Sequence, residues 1–336
     1  MQHKPATLWV DWDRHLRSRT LARRLDVTLL EVRVGGNRIW RYVRSIRRTM
    51  SSLRRARPSI VIATNPSIVL GLLLLGVRRW SGFALVSDAH YVGLRSLRGQ
   101  RLMQRVLDFY NSRADLVIVT NERQAQYLAS IGGRAYLCPD PLPDLNDQIG
   151  ASVAVPEKSV FLICSFERDE PYEAAFDALS QLQQAGYTLF VSGNYRRAGV
   201  DPARFPWVRF LGYVSEPDYY SYLVSCAVTM DLTVLEDCLL CGAYEALAAR
   251  RPLVISNTQA LRDYFGAAAV LTDNTPEAIA ESVERAYAQR SALAQEATKW
   301  VIANEVYMGE RITTLKAQLR SLQTGSVPTR ARRLRT

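Results

Sequence analysis

The stretch LEDCLLCGAYEALAARRPLVIS, residues 235–256, contains two kinds of side chain that could do chemistry. Cys238 and Cys241 form a Cys-x-x-Cys pair, and the carboxylates of Glu236, Asp237 and Glu245 lie on either side of it. A zinc or redox Cys-x-x-Cys needs two further ligands at metal spacing, or a thioredoxin-like context. The sequence has no second pair and no nearby histidine. We therefore predict that the thiols pack as small apolar groups, that no metal is bound and that the carboxylates carry the chemistry.

A helix is predicted to begin near Cys241, and its first turn is suited to an anion. The backbone N–H groups of Leu240, Cys241 and Gly242 would be free there, and the helix dipole favours negative charge at the same end. Gly242 would let the backbone approach its ligand closely. These features favour a diphosphate.

We predict different roles for the carboxylates of Glu245 and Asp237. A diphosphate would repel the carboxylate of Glu245, so we expect Glu245 to accept hydrogen bonds from a neutral diol such as ribose. Asp237 lies eight residues earlier, in the preceding loop, where it could reach a sugar beyond the phosphates. The alternative is that both are solvated acids at the start of a helix, which is a common arrangement.

Short apolar strands alternate with helices along the chain, and this alternation favours parallel, doubly wound α/β sheets. It occurs twice, and CPDPLPDL (138–145) interrupts it. We predict one α/β domain over 1–142, a linker over 143–157 and a second α/β domain over 158–294. A returning helix over 295–322 and a basic, disordered tail over 323–336 would follow. Ligands of such sheets lie at the carboxyl ends of strands, where Asp88, His90, Gly193 and Asp231 fall.

The residues from Asp237 to Ser256 resemble the donor-binding motif of retaining GT-B glycosyltransferases, especially glycosyltransferase family four (glycosyl transferases group 1). That motif has two acids eight positions apart, here Asp237 and Glu245, followed by ALAARRPLVIS. ADLVIVTN, RFLGYV and the terminal helix extend the resemblance over most of the chain. The resemblance implies two Rossmann-like domains facing across a cleft, an acceptor domain over 1–142 and a donor domain over 158–294. It also implies a nucleotide-sugar donor, retention of configuration and no metal or cofactor. It places the donor ribose on Glu245 and the donor sugar near Asp237.

Further site residues come from the same comparison and from the strand ends. His90 is expected to face the donor sugar and the acceptor, unless it merely caps its own turn; His15, in DWDRH, is a weaker candidate. The family has an Arg and a Lys after the first strand of its second domain, and here SFERDEPYEA offers only Arg168. The sequence also has Asp where the family usually has its first Glu. Gly193, Asn194 and Tyr213 complete the donor-binding set.

Positive charge is concentrated in the first half of the chain. Residues 1–150 contain 24 Lys and Arg against 11 Asp and Glu, and no acid occurs from Val32 to Ser87. In NRIWRYVRSIRRTMSSLRRARP (37–58), Ile39, Val43, Ile46, Met50 and Leu53 form one apolar stripe of a predicted helix. We expect that stripe to pack on the sheet. The arginines, in particular Arg41, Arg44 and Arg48, would face an anionic membrane surface or a lipid-linked acceptor.

Length and composition leave several functions open. The 336 residues, 48% apolar, are enough for two domains, and five cysteines are ordinary for a reduced compartment. The longest apolar run, 67–77, is shorter than the roughly 20 residues that cross a bilayer. We expect a cytoplasmic protein in polysaccharide or glycolipid synthesis, with peripheral membrane contact. The alternatives are a nucleotide-sugar epimerase, an inactive scaffold and a nucleic-acid-binding protein; no nucleic-acid motif supports the last.

Overall fold

The computed structural model describes residues 6–65, 67–95, 100–145 and 148–324. The chain divides into two compact units. Unit 1 is formed by the chain up to Pro141 and from Tyr307 onward, and unit 2 by Leu142–Val306. The exact linker boundaries predicted from the sequence stay a prediction. The predicted tail, 323–336, lies outside the described residues from position 325.

Unit 1 contains a parallel sheet, whose described strands have the order β2-β1-β3-β4-β5-β6. The strands are β1 (Thr7–Asp11), β2 (Thr28–Glu31), β3 (Ile60–Asn65), β4 (Ala84–Ala89), β5 (Leu116–Val119) and β6 (Ala135–Leu137). The helices are α1 (Leu16–Leu25), α2 (Arg38–Ala56), α3 (Ile68–Ser81), α4 (Tyr91–Leu94), α5 (Arg101–Arg113) and α6 (Glu122–Ser130).

Unit 2 repeats the pattern, with the strand order β12-β11-β10-β7-β8-β9 in its described part. The strands are β7 (Ser159–Ile163), β8 (Thr188–Ser192), β9 (Val208–Gly212), β10 (Val228–Asp231), β11 (Leu253–Ser256) and β12 (Val270–Thr272). The helices are α7 (Tyr172–Gln181), α8 (Glu216–Ser225), α9 (Cys241–Ala248), α10 (Gln259–Phe265), α11 (Pro276–Ala288) and α12 (Arg290–Thr324), with short 3-10 turns at Pro202–Arg204 and Gly266–Ala268. The predicted pair of Rossmann-like parallel sheets is confirmed.

The sheets are parallel because each strand is apolar on both faces and therefore needs helices on both sides. In β1, Trp9 packs with one core cluster, whereas Leu8 and Val10 pack with the cluster on the opposite face. β7 does the same in unit 2: Val160 and Leu162 face one core, and Phe161 faces the other. Because neighbouring strands run parallel, their carboxyl ends lie along one edge of each sheet.

Helix α2 has the predicted bounds but not the predicted buried face. Its buried residues are Ser45, Thr49 and Leu53, whereas Ile39 is 74% exposed and Val43 is also exposed. The buried face includes a polar contact that hydrophobic periodicity does not reveal: the Thr49 hydroxyl accepts a hydrogen bond of 2.9 Å from the indole Nε1 of Trp12. The prediction that the whole apolar stripe packs on the sheet is therefore wrong for the first half of the helix.

Candidate functional site

The donor-binding residues predicted from the sequence lie in the loops that follow the parallel strands of unit 2, or at the start of α9. Arg168 follows β7, Gly193 and Asn194 follow β8, Tyr213 follows β9, and Asp237 follows β10. Because β7, β8, β9 and β10 are hydrogen-bonded neighbours in parallel register, these loops share the carboxyl edge of the sheet. We call this edge the donor edge. The fold therefore gathers residues that are up to 77 positions apart in the sequence, from 168 to 245.

The loops of the donor edge are fixed against one another by backbone contacts. Gly193 has a φ of +103°, and a Cβ at this position would overlap the carbonyl oxygen of Cys164. Only glycine allows that approach. Its N–H also donates to the carbonyl oxygen of Gly212 at 2.9 Å, so the ends of β7, β8 and β9 are held together. Gly193 thus has a structural task that is independent of any ligand.

The turn that carries Arg168 is built around the carboxylate of Glu170. This carboxylate accepts hydrogen bonds from the backbone N–H groups of Ser165 at 3.0 Å and Glu167 at 2.7 Å. Burial raises the pKa of Glu170, and those two N–H groups partly offset the rise. The side chain of Arg168 is left exposed at the tip of the turn. An exposed guanidinium beside the strand ends can reach an anionic ligand without first giving up a buried ion pair.

Helix α9 begins at Cys241, close to a buried carboxyl group. Asp231 is buried at the end of β10, and the backbone N–H groups of Gly242 and Ala243 act to lower its pKa. A Cβ at position 242 would lie 2.5 Å from Asp231 Oδ2 and 2.6 Å from Ile163 Cδ1, which explains the glycine. The expectation that Gly242 offers its N–H to a diphosphate stays a prediction. The roles of Leu240 and Cys241 stay predictions.

The protonation state of Asp231 determines how strongly its carboxyl group opposes an anion at the start of α9. Burial raises its pKa well above the usual value, and the nearby carboxylates of Glu170 and Glu245 raise it further. These causes favour a neutral carboxyl group, which still accepts N–H bonds but does not cancel the helix dipole. The positive end of α9 thus remains able to stabilise a phosphate.

Glu245 lies one turn into α9, half-buried at the donor edge. Its Oε2 accepts a short hydrogen bond from the hydroxyl of Tyr219 in α8, and the neighbouring Tyr220 hydroxyl also acts to lower its pKa. Burial raises the pKa of Glu245 to about 7 despite these two hydroxyl groups. A carboxylate has about four acceptor sites, so the bond from Tyr219 leaves room for a diol. Tyr219 was not predicted, because nothing in its local sequence distinguishes it from a core tyrosine.

The loop that leads into α9 contains the other candidate acid and both thiols. Asp237 and Cys238 are half-buried, and Cys241 is exposed. Within the described part of the chain, no group of three His, Cys, Asp or Glu side chains is arranged to hold a metal ion. The thiols of Cys238 and Cys241 are not joined in a disulfide. The catalytic role of Asp237 and the absence of metal stay predictions.

His90 lies in unit 1, after β4, and belongs to a polar cluster at the carboxyl edge of that sheet. Its side chain does not cap the short helix that follows, so the turn-capping alternative is not observed. Its Nε2 lies 3.8 Å from Asp88 Oδ2, and its ring centroid lies 5.7 Å from that of His15. Burial lowers the pKa of His90. The structure thus pairs His90 with His15, the weaker candidate in the sequence.

A buried arginine organises this cluster. Arg17 of α1 is within ion-pair distance of Asp88 at 3.0 Å and Asp140 at 2.6 Å, and it also donates to the carbonyl oxygen of Cys138. Removing one partner from a buried, hydrogen-bonded ion pair costs about 3–5 kcal/mol. Arg17 therefore fixes the ends of β4 and β6 relative to α1, and with them the position of His90.

The three arginines predicted to meet an acceptor or a membrane lie on α2 and are exposed. Arg44 and Arg48 donate to the carbonyl oxygens of Gly35 and Arg33, at 3.4 Å and 3.2 Å. Arg41 borders a cavity in unit 1. Two of the three therefore also support the loop before α2. No helix in the described residues is long and apolar enough to cross a membrane.

Comparison with known proteins identifies relatives only through the fold. No protein-family model matches the sequence, and no curated protein matches it. Sucrose-phosphate synthase from Thermosynechococcus elongatus superimposes with a TM-score of 0.76 at 16% identity, over 94% of this chain and 99% of that chain. HepE from Anabaena, solved with UDP-glucose, gives 0.70 at 12% identity, over 96% and 100%. Trehalose 6-phosphate synthase from Burkholderia multivorans gives 0.64 at 15% identity, over 91% and 79%. At these identities the likeness shows a shared fold.

Proposed function

We propose that the protein is a glycosyltransferase that moves a sugar from a nucleotide-sugar donor to a glycan or lipid-linked acceptor. The observation that carries this proposal is Glu245, a half-buried carboxylate one turn into the helix whose N-terminus lies at the donor edge. Two proteins of the same fold support it. HepE was solved in complex with UDP-glucose, and the other is a sucrose-phosphate synthase. The donor edge would hold the donor, and no metal or cofactor would be needed.

Each group at the donor edge has a proposed task. The diphosphate would lie at the positive end of α9, near the amides of Leu240 and Cys241, with the exposed Arg168 as its countercharge. Glu245 would accept hydrogen bonds from both ribose hydroxyls, and Asp237 would contact the transferred sugar. When the bond from the anomeric carbon to the diphosphate breaks, negative charge grows on the leaving oxygen. Donors already aimed at that oxygen stabilise the transition state more than the ground state.

Retention of configuration is part of the proposal and rests on the resemblance of the motif around Asp237 and Glu245. Two acids eight residues apart, followed by an Ala-rich helix and an apolar strand, correspond to the pattern of retaining enzymes. Polysaccharide or glycolipid synthesis is proposed on the same basis. NMR of the anomeric proton in the first product formed would test the stereochemistry directly.

Attachment to an anionic membrane is proposed from α2. The first half of this helix exposes Ile39 and Trp40, 74% and 56% accessible, among arginines with no acidic residue in the same helix. Apolar side chains that insert beside headgroups, together with basic groups that attract anionic lipid, are the combination by which amphipathic helices bind membranes. A lipid-linked acceptor would be met at such a surface.

The proposal is tested first by donor binding. Purified full-length protein is titrated with UDP-, GDP-, ADP- and dTDP-linked hexoses by isothermal titration calorimetry, beside Glu245→Gln. We expect one nucleotide class to bind and Glu245→Gln to bind it more weakly. Release of nucleoside diphosphate in the presence of a candidate acceptor then reports transfer. Failure of every nucleotide sugar to bind the folded protein would overturn the proposal.

A nucleotide-sugar epimerase is the second candidate, because a putative UDP-N-acetylglucosamine 2-epimerase from Listeria monocytogenes has the same fold, with a TM-score of 0.60 at 11% identity. The two functions differ in what happens to the sugar. An epimerase changes one stereocentre of the nucleotide sugar and needs no acceptor. Proton NMR of UDP-N-acetylglucosamine incubated with the protein alone therefore distinguishes them, and we expect no change.

A further inference from the structure

A cavity of about 710 Å³ lies in unit 1 between the last turns of α2 and α3. We call it the α2–α3 pocket. Pro58 and Phe83 line it just before β3 and β4 begin, so it lies at the amino edge of the sheet. Ligands of open parallel sheets generally bind at the opposite, carboxyl edge, where His90 lies. Strand β3, six residues long, separates the two edges by roughly 17 Å.

The interior of the α2–α3 pocket is apolar and large enough for a ligand. Leu53, Val77 and Phe83 line it and are buried members of the core cluster on that face of the sheet. Met50, half-buried on α2, lines it as well, and a thioether side chain adapts its shape to irregular apolar neighbours. Small-molecule sites have volumes of about 300–1,000 Å³ and mostly apolar linings, and the α2–α3 pocket resembles them in both respects.

Trp80 lines the same pocket from the end of α3 and is 82% exposed. The indole therefore lies at the mouth of the cavity, where one of its faces is in contact with water. A large aromatic ring offers a wide contact area to an apolar group that enters beside it. An exposed aromatic side chain that continues an apolar cavity to the surface is a typical feature of an interaction site.

Two arginines complete the lining. Arg54 in the last turn of α2 and Arg57 directly after it are exposed, and neither guanidinium forms an ion pair or a hydrogen bond with another described residue. Cations at the end of a helix also offset its carbonyl groups, but that role does not require them to line a cavity. An apolar cavity with two guanidiniums at its rim is complementary to an anion that has an apolar chain.

The backbone of Arg57 has an unfavourable conformation for an arginine. Its φ is +46° and its ψ +54°, in the left-handed region, and its N–H donates to the carbonyl oxygen of Leu53 at 2.8 Å to end α2. Glycine is the usual residue at such a helix end, because a Cβ costs energy there. Residues in such conformations occur preferentially at functional sites. The guanidinium is the feature that glycine would lack.

We propose that the α2–α3 pocket binds a lipid phosphate, with one alkyl chain in the cavity beside Trp80 and the phosphate on Arg54 and Arg57. A phosphate offers more acceptor oxygens than a carboxylate, and two guanidiniums with five N–H donors each can use them. The ligand is bound and not changed, and it is neither the sugar donor nor the sugar acceptor.

The site does not depend on the proposed glycosyltransferase activity, because every residue that lines it belongs to unit 1. It also differs from the membrane contact proposed for the first half of α2. Ile39 and Arg54 are fifteen residues apart on the helix, which is about 22 Å. A soluble single-chain ligand can therefore be tested without vesicles and without any nucleotide sugar.

Alkyl phosphates test the pocket directly. The full-length protein is titrated by calorimetry with hexyl, octyl and decyl phosphate below their critical micelle concentrations, beside decanol, decanoate and inorganic phosphate. We expect the Kd to fall about fourfold for each CH₂ group that enters the cavity. Decyl phosphate should bind more tightly than each of the other three compounds. Equal affinity for all chain lengths would refute the apolar cavity, and equal affinity for decanol or decanoate would refute the phosphate assignment.

The two arginines are tested with a charge-matched control. Arg54→Gln with Arg57→Gln should weaken the binding of decyl phosphate at least tenfold, as expected for lost charge-assisted hydrogen bonds. Arg47→Gln with Arg55→Gln removes the same charge from exposed positions of α2 outside the pocket and should bind as wild type. Equal losses in both double variants would show unspecific attraction to a basic helix and would overturn the proposal.

Arg57→Gly separates binding from stability. Glycine adopts a φ of +46° without strain, so the melting temperature should stay the same or rise, whereas the affinity for decyl phosphate should fall. An unchanged affinity in this variant would overturn the assignment of Arg57 to the phosphate.

The fluorescence of Trp80 identifies the occupant of the pocket. Decyl phosphate should shift the emission to shorter wavelength, because the indole leaves water. The shift should be lost in Trp80→Phe and kept in Trp40→Phe, which removes an exposed tryptophan at the other end of α2. A shift that persists in Trp80→Phe would place the ligand elsewhere and refute the proposal.

Two other occupants give different results in the same assay. A shift of Trp80 emission with protein concentration alone would identify a second copy of the chain. A shift with phosphatidylcholine vesicles that contain phosphatidic acid, without binding of any soluble alkyl phosphate, would identify a membrane surface. Either result would overturn the assignment of a single-chain lipid phosphate.

Discussion

Glu245→Gln is the perturbation that most directly tests the donor edge, because the substitution keeps the shape of the side chain and removes its charge. The amide oxygen of glutamine can still accept the hydrogen bond from Tyr219, so α8 and α9 should remain packed. The substitution removes the second carboxylate oxygen and the negative charge, which we propose accept hydrogen bonds from the ribose diol. Any change in nucleotide affinity can therefore be read as a change in that contact.

The size of the effect follows from the character of the lost bond. A hydrogen bond to a charged group contributes about 1.5–3 kcal/mol, which is roughly a 10- to 150-fold change in Kd. The pKa of Glu245, raised to about 7 by burial, adds a pH dependence. The ionised form is needed to accept from both hydroxyls. Its fraction falls about tenfold from pH 8 to pH 6, so the wild-type Kd should rise by about that factor on acidification.

The assay is isothermal titration calorimetry with UDP and 2′-deoxy-UDP at pH 6 and pH 8, or with the corresponding pair for the base that binds. Deoxy-UDP corrects for titration of the phosphates, because it keeps them and lacks one ribose hydroxyl. We expect the tenfold pH effect for UDP with the wild type only. Glu281→Gln, an exposed acid on α11, is the matched control and should behave as wild type.

The ribose assignment also predicts non-additivity. If Glu245 holds the diol, removing the 2′-hydroxyl and removing the charge delete the same interaction, so the second change should cost little after the first. Additive losses would refute the assignment, as would an unchanged UDP affinity in a folded Glu245→Gln. A wild-type Kd equal at pH 6 and pH 8 would show that the ionised carboxylate is not what binds.

Four further predictions follow from other parts of the structure. Asp237→Ala should lower kcat at least tenfold while nucleotide affinity, measured by calorimetry, changes less than threefold; equal losses in both would make Asp237 a binding residue. Gly242→Ala should destabilise the protein by about 1–3 kcal/mol in urea unfolding, because its Cβ would crowd Asp231, whereas Gly309→Ala, with nothing within 4 Å, should be neutral or stabilising. Cys238→Ser with Cys241→Ser should keep activity within a few-fold, and elemental analysis should find no zinc; stoichiometric zinc would contradict this. Binding to vesicles with anionic lipid should fall with salt and should be lost when Arg41, Arg44 and Arg48 of α2, each contributing about 1 kcal/mol, become Glu; neither form should bind neutral vesicles.

The regular elements could be predicted because they depend on information local to the chain. Strands such as SVFLI and helices such as Arg38–Ala56 show their periodicity within a few residues, and Asn37 caps α2 with its side chain, as its position suggests. Alternation of these elements restricts the fold to parallel sheets, and parallel sheets bring strand ends to one edge. The sequence by itself therefore determined the fold class and the edge on which Glu245 and Asp237 lie.

Only the tertiary structure decided which groups at that edge already contact other side chains of the protein. A Cβ on Gly242 would overlap the carboxyl group of Asp231, eleven positions earlier, and Glu245 accepts a hydrogen bond from Tyr219, twenty-six positions earlier. Likewise, the buried face of α2 contains Thr49, which accepts a hydrogen bond from Trp12. Such partners are chosen by packing between elements, which no local periodicity encodes, because side chains of one type are interchangeable in a pattern but not in a contact. Burial follows from the same packing, and burial is what moves the pKa of Glu245 to about 7.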